Sequence, residues 1–181
     1  MKKCLRLCLL FLLASSVPTL MAQQESKPGP LLEVILTTYD VSRTETLVYL
    51  RVLSDGHAEA HSMRQVDFRN VALKQAQVSA TELATLSEFL SSSKVQRLGL
   101  KYERYWGNKD FGETWEITIA KGETKKSIIL ENFQPFLART KKEPYPAELE
   151  KLGCLIWEQR TKVTGEPLER NYVAGCQRLG Y

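Results

Sequence analysis

A three-residue turn, Ser54-Asp55-Gly56, dictates much of the fold because strand-forming sequence flanks it on both sides. Residues 44–53 are rich in Val, Leu, Thr and Tyr, which pack well on a sheet, and residues 57–61 alternate between polar residues and alanine. Glycine readily adopts the left-handed conformation that the last position of such a loop requires. The pattern therefore predicts an antiparallel hairpin.

The register of this hairpin follows from the length of the loop. Three loop residues give one apolar face and one polar face, whereas a two-residue loop would mix the two. The polar face is expected to carry an Arg51–Glu59 ion pair and also Tyr49. The predicted cross-strand pairs are Arg51 with Glu59, Val52 with Ala58, Leu50 with Ala60 and Tyr49 with His61.

A second hairpin is predicted at Gly122-Glu123, which suits a two-residue type II′ turn because glycine occupies the first central position. Its strands are residues 113–121 and 124–131. In this register Trp115 faces Leu130 on the core side. Two further segments are strand candidates, residues 31–39 and a short stretch within 71–77.

Two amphipathic helices are also predicted. Ser79 and Glu82 have capping-box spacing, and the helix they begin ends at Ser91-Ser92-Ser93. Pro146 suits the first turn of the second helix, and Gly165 ends it. The apolar positions are Leu83, Leu86 and Leu90 in the first helix, and Leu149, Leu152, Ile156 and Val163 in the second.

The order of these elements is strands, helix, hairpin, helix. Consecutive hairpins imply an antiparallel sheet, and amphipathic helices bury their apolar stripes against it. We therefore predict one α+β domain over residues 31–181, an antiparallel sheet built from hairpins with two amphipathic helices on one face. A C-terminal tail tied by a disulfide completes it. The 159 residues from Gln23 onward suffice for one core but not two.

Residues 1–22 have the organisation of a secretory signal peptide. A basic segment, residues 1–6, precedes an apolar run over 7–14, and Ala22 suits the cleavage site. The run is shorter than the roughly 20 apolar residues of a membrane span, so we expect no span. Residues 23–30 are polar and proline-containing, typical of a flexible lead-in. The prediction is a periplasmic or secreted protein.

The formal charge of +4 comes from 25 basic and 21 acidic residues. Three of the basic residues lie in the predicted signal peptide, which holds no acid, so its removal leaves 22 basic against 21 acidic residues. Nucleic-acid recognition needs a surplus of Lys and Arg. We therefore expect no nucleic-acid partner.

The cysteines divide in the same way. Cys4 and Cys8 belong to the predicted signal peptide, which leaves Cys154 and Cys176. Two cysteines in an exported chain are interpreted as one disulfide. With no histidine nearby, the pair lacks the ligands of a zinc site.

His57, Glu59 and His61 form a candidate metal site because the strand period of two puts them on one face. Neighbouring positions on that face are about 7 Å apart, so the two imidazoles are about 14 Å apart in a regular strand. Arg51 also competes for Glu59. The favoured interpretation is a solvated polar face with no metal and no cofactor, and the metal site is the alternative.

Residues 98–111 form an aromatic-rich connector. Aromatic side chains interleaved with basic ones are typical of a binding surface, and the alternative is a loop that folds its rings over the sheet edge. Trp106 is the predicted anchor. The candidate binding residues are Tyr102, Tyr105, Trp106 and Phe111. The sequence has no P-loop, H-E-x-x-H or G-x-G-x-x-G motif, and we predict that the protein is not an enzyme.

Residues 115–130 read W-E-I-T-I-A-K-G-E-T-K-K-S-I-I-L, and residues 146–157 read P-A-E-L-E-K-L-G-C-L-I-W. A hairpin that leads through a proline-containing loop into an amphipathic helix resembles small bacterial domains of the emfourin type, which inhibit thermolysin-like metalloproteases. Other exported bacterial domains show similar patterns. The resemblance covers about residues 44–162 and implies an α+β protease inhibitor, with no inhibitory residue carried over.

These observations favour an exported protein-binding module of the cell envelope or extracellular space, with an unidentified protein partner. A protease inhibitor is its most specific form. Two alternatives remain open. The first is a metal- or small-ligand-binding protein or enzyme that uses the face of His57, Glu59 and His61. The second is a structural envelope component.

Overall fold

The computed structural model describes residues 28–62, 72–103, 111–133, 145–167 and 170–180. The predicted signal peptide lies outside these residues. The fold is α+β, with a seven-stranded sheet and four helices in the described part of the chain. The strands are β1 Pro30–Asp40, β2 Thr44–Leu53, β3 His57–His61, β4 Leu73–Gln77, β5 Lys101–Glu103, β6 Phe111–Lys121 and β7 Thr124–Glu131. The helices are α1 Ala80–Ser91, α2 Ser93–Gln96, α3 Ala147–Thr164 and α4 Arg170–Arg178.

The strands follow the order β4-β3-β2-β1-β6-β7-β5 across the sheet. Every neighbouring pair is antiparallel except β5 and β7, which are parallel. The predicted antiparallel arrangement is therefore correct for most of the sheet. Strand β5 has three residues and lies inside the segment that the sequence predicts as a connector.

Both hairpin registers are confirmed. Arg51 pairs with Glu59 and Val52 with Ala58 across the first hairpin. Across the second, Lys121 pairs with Thr124, and the pairs Trp115 with Leu130 and Ile117 with Ile128 follow. The turn glycines have positive φ angles, 86° at Gly56 and 59° at Gly122, as their loop types require.

The prediction for Tyr49 is wrong. Val34 of β1 pairs with Leu50 while the next residue of β1 pairs with Val48, so Tyr49 is the extra residue of a β-bulge. The bulge turns Tyr49 inward, where its exposure is 7% and its ring centroid lies 4.4 Å from that of Trp115. Alternation of faces fails at this position because two successive residues of β2, Tyr49 and Leu50, are buried.

The sheet has two faces of different character. One, the buried face, shares a single hydrophobic core with side chains of α1, α2 and α3. The other, the open face, carries polar and half-buried side chains such as Glu33, Arg51, Glu59 and Thr118. Members of the buried face include Leu32, Val34, Leu50, Val52, Ala58, Ala60, Ile117, Ile119 and Ile128.

Helix α1 begins with the predicted capping box, in which the Ser79 hydroxyl accepts from the Glu82 amide and the Glu82 carboxylate accepts from the Ser79 amide. Lys162 of α3 donates to Glu82 over 2.6 Å. The bond from Lys162, followed by those that the hydroxyl and the main-chain N–H of Ser79 donate to the carboxylate, lowers the pKa of Glu82 to about 2. The start of α1 is thereby tied to the end of α3.

Helix α3 is buried on two sides, because its predicted apolar stripe packs in the core and a second side contacts other rings and helices. Gly153 lies against Phe133, whose ring would be 3.4 Å from an added Cβ. Phe133 in turn stacks on Trp157 with ring centroids 6.3 Å apart. Gly165, with φ 72°, ends the helix as predicted.

Cys154 of α3 forms the predicted disulfide with Cys176, with 5.6 Å between the two Cα atoms. Both cysteines are buried. The segment that the disulfide holds is not only a tail, because residues 170–178 form helix α4. The disulfide therefore links two helices.

Candidate functional site

His57, Glu59 and His61 lie on the open face as predicted, and the side chains of Glu59 and His61 contact other groups. Arg51 donates to Glu59, and also to Glu33 over 2.6 Å, so the carboxylate of Glu59 is engaged. The Nδ1 atom of His61 is 2.9 Å from the carbonyl oxygen of Val48. Within the described ranges, no group of three His, Cys, Asp or Glu side chains is arranged to hold a metal ion.

The structure describes only part of the predicted aromatic binding surface. Tyr102 is half-buried beside the core, where its hydroxyl accepts a hydrogen bond from the Gly99 amide over 2.8 Å and its ring meets Tyr145 edge-on. Phe111 is the first residue of β6. Tyr105 and Trp106 lie outside the described residues.

The two edges of the sheet are protected to different degrees. Strand β5 forms one edge with only three residues, and Lys101 bridges Glu103 and Glu131 across it. These partners, Glu103 first, raise the pKa of Lys101. Lys126 of the neighbouring strand donates to two main-chain carbonyls of the α2–β5 region. Short edge strands and charged side chains are common means of blocking edge pairing.

Strand β4 forms the other edge, and no described strand pairs with its outer side. The amide of Ser62 donates to the carbonyl of Ala72 over 3.1 Å, and the amide of Val78 donates to the carbonyl of Gly56 over 2.9 Å. Because hydrogen-bonded pairs alternate along an antiparallel ladder, the even-numbered residues of β4 bond towards β3. The odd-numbered residues Leu73, Gln75 and Gln77 therefore direct their N–H and C=O groups outward.

Side chains of β4 alternate between the two faces. Leu73, Gln75 and Gln77 pair with His61, Glu59 and His57 and share the open face with them. Lys74 and Ala76 pair with Ala60 and Ala58, so they belong to the side of the buried face. Four of the five residues are exposed, and Leu73 is 45% exposed.

The C-terminal end of β4 is fixed by contacts with the turn before β3 and by the start of α1. The side-chain Nε2 of Gln77 donates to the carbonyl of Asp55 over 3.0 Å, and a Cβ on Gly56 would lie 2.9 Å from the carbonyl of Val78. The capped N-terminus of α1 follows directly at Ser79. The outward groups of β4 are thus held in a preformed extended geometry.

A buried ion pair lies where β3 ends. Arg160 of α3 donates to Glu166 over 2.6 Å and to the carbonyl of His61 over 2.9 Å. The Ser62 hydroxyl donates to Glu166, and the Arg160 guanidinium lies 4.6 Å from the ring centroid of Tyr49. The side chains of Arg160 and Glu166 are 9% and 8% exposed. This cluster joins the end of α3 to the strand that supports β4.

The sequence indicates these features only weakly. A short strand within residues 71–77 is predicted and corresponds to β4, yet nothing local shows that β4 is an edge. Arg160 and Glu166 carry no motif, and the contact of Glu166 with Ser62 spans 104 residues.

The disulfide is compatible with an oxidising, exported compartment. Across the described residues, none of the helices combines the length and the apolar character that crossing a membrane requires. Comparison with models of known protein families gives no match, and comparison with curated proteins gives none either.

Proposed function

We propose that the protein is an exported protein-binding module that takes an extended segment of its partner as an additional strand against β4. The observation that carries this proposal is the row of outward N–H and C=O groups at Leu73, Gln75 and Gln77. Strand addition to a free sheet edge is a general mode of peptide recognition, in which main-chain hydrogen bonds supply affinity.

The preformed extended geometry of β4, which is paired with β3, supports the proposal. Binding an extended segment costs conformational entropy, and a preformed edge adds little to that cost on the protein's side. Each main-chain hydrogen bond contributes about 0.5–1.5 kcal/mol net, and three residues of β4 offer up to six such groups. The exposed side chain of Leu73 adds apolar contact at one end.

The cellular setting and the partner class are part of the same proposal. The pattern of residues 1–22 and the disulfide support export to the periplasm or the outside. A protease is the most specific partner that we propose, from the resemblance of residues 44–162 to emfourin-type inhibitors.

Replacing Gln75 by proline tests the role of the edge. Proline removes an outward N–H and is tolerated in edge strands where that N–H faces away from the ladder. We expect the Gln75→Pro variant to bind a captured partner about tenfold more weakly, since a lost bond leaves a partner carbonyl unsatisfied. Gln75→Thr keeps the N–H and serves as the matched control.

The experiment uses the mature protein from Gln23, oxidised and immobilised, with extracytoplasmic extract from its own source. A partner retained by the wild type and by Gln75→Thr but lost from Gln75→Pro supports strand addition, provided that circular dichroism shows all three folded. Equal retention by all three contradicts it. Trp106→Ala in the same assay tests the predicted aromatic anchor and is expected to weaken capture. Unchanged capture would contradict the anchor role.

A further inference from the structure

Lys74 lies in the middle of β4, and its side chain is exposed to solvent. Because Lys74 pairs with Ala60, this side chain is on the same side of the sheet as the buried face, at its edge. Its cross-strand neighbour Ala60 is uncharged and fully buried. Among the residues that the structure describes, no carboxylate lies within ion-pair distance of the Lys74 ammonium group. The charge is therefore available to a group outside β4.

Four described carboxylates on elements near β4 are engaged by other cations. Glu82 at the start of α1 binds Lys162, which also binds Glu158 of α3. Glu166, which follows α3, binds Arg160. On the open face, Glu59 binds Arg51. Lys74 itself forms no ion pair with any residue in the part of the fold that is described.

A strand added to β4 brings its own side chains to fixed positions. An antiparallel partner bonds with Leu73, Gln75 and Gln77, so the residue opposite Lys74 occupies a non-hydrogen-bonded pair. In such a pair the Cβ atoms are about 4.5–5.5 Å apart, and opposite charges attract. On the open face the same strand meets the neutral side chain of Gln75.

We propose that the partner is an extended segment with a carboxylate opposite Lys74 and uncharged residues at the alternate positions that face Gln75. This inference rests on the proposed strand addition and specifies its partner. A second copy of the chain fits less well. Two β4 strands paired about Gln75 would place their Lys74 ammonium groups diagonally across the junction, where like charges repel.

Three synthetic peptides test the preference. They have the sequence Thr-Gln-Val-Glu-Val-Gln-Thr, or the same sequence with Gln or Lys in place of the central Glu. Each is titrated to millimolar concentration into isotope-labelled mature protein, and the amide signals of Leu73, Gln75 and Gln77 are followed by NMR. We expect the Glu peptide to bind about two- to fivefold more tightly than the Gln peptide, and the Lys peptide to bind most weakly.

Variants of Lys74 provide the matched controls. Lys74→Gln is expected to remove the difference between the peptides, and Lys74→Glu to reverse their order, with the effect reduced at high salt. Neither change alters the outward N–H groups, so the variants should still bind the Gln peptide.

Each other outcome has a distinct meaning. Equal binding of all three peptides to the wild type overturns the acidic preference and leaves strand addition intact. Absence of any shift at the three amides, with the rest of the spectrum showing a folded protein, overturns strand addition and with it the proposed function. Amide shifts that depend on protein concentration alone, together with a dimer in sedimentation, show that a second copy occupies the edge and overturn the inference.

Discussion

Replacing Glu166 by alanine is expected to lower the free energy of unfolding by about 3–5 kcal/mol, because it leaves a buried guanidinium without its counter-charge. The whole residue Arg160 is 7% exposed, and its guanidinium forms an ion pair with the carboxylate of Glu166. The Ser62 hydroxyl loses its acceptor in the same variant. Urea denaturation followed by circular dichroism measures the change.

A double variant distinguishes the cost of leaving the Arg160 charge unpaired from the cost of losing side-chain packing. Arg160→Met with Glu166→Leu replaces both charges by apolar side chains of similar volume, a change that is often neutral or stabilising. We expect this protein to be more stable than Glu166→Ala. A loss below about 1 kcal/mol for Glu166→Ala would show that the Arg160 charge reaches solvent and that the pair is not a determinant of stability.

Removing the disulfide is expected to cost about 3 kcal/mol, since it closes a loop between residues 22 positions apart and so restricts the unfolded chain. The variant is Cys154→Ala with Cys176→Ala in the mature protein, which contains no other cysteine if the predicted signal peptide is removed. Thermal or urea denaturation measures the loss. Reduction of the wild-type protein should produce the same decrease.

Hydrogen exchange shows which part of the fold the disulfide stabilises. Helix α4 has nine residues, too few for an isolated helix to be stable, so its amides should lose protection in the double-alanine variant. Amides of the central strands should keep theirs. Unchanged protection of α4 would mean that packing on α3, rather than the disulfide, holds the helix.

The local sequence pattern was sufficient to predict both hairpins, because loop length and the side-chain alternation around Gly56 and Gly122 determine the register. The pattern did not predict the burial of Tyr49, where a bulge places two successive residues of β2 in the hydrophobic core. A bulge depends on the partner strand β1, and the sequence of β2 alone does not show it.

Elements that depend on distant contacts were missed. Strand β5 has three residues and is paired with β7 in parallel. A parallel pair is not joined by a hairpin turn, so no turn motif in the sequence indicates this strand. Helix α4 contains Gly175, which lowers helix propensity, and it is attached to α3 through Cys176. The second buried side of α3 follows from contacts with Phe133 and α4 that lie outside its own apolar stripe.

The candidate site could be predicted only in part. The sequence indicates a short strand ending at Gln77, but edge position depends on the order of all seven strands. The sequence alone does not show that Lys74 could contact a bound segment, because this depends on which side of the sheet its side chain occupies and on which residues surround it. The same holds for Glu166, whose partners come from α3 and from the end of β3.

The central position of β1 has a consequence for folding kinetics. Strands β1 to β4 are joined by nearest-neighbour pairings, and so are β6 and β7, but within the described sheet the pairing of β1 with β6 is what joins the two groups. Val34 and Ile117, paired there, are 83 residues apart in the chain. Such non-local pairing raises contact order and slows folding. Until it forms, β1 is a second open edge with apolar side chains, so the newly made chain is most vulnerable to aggregation at this strand.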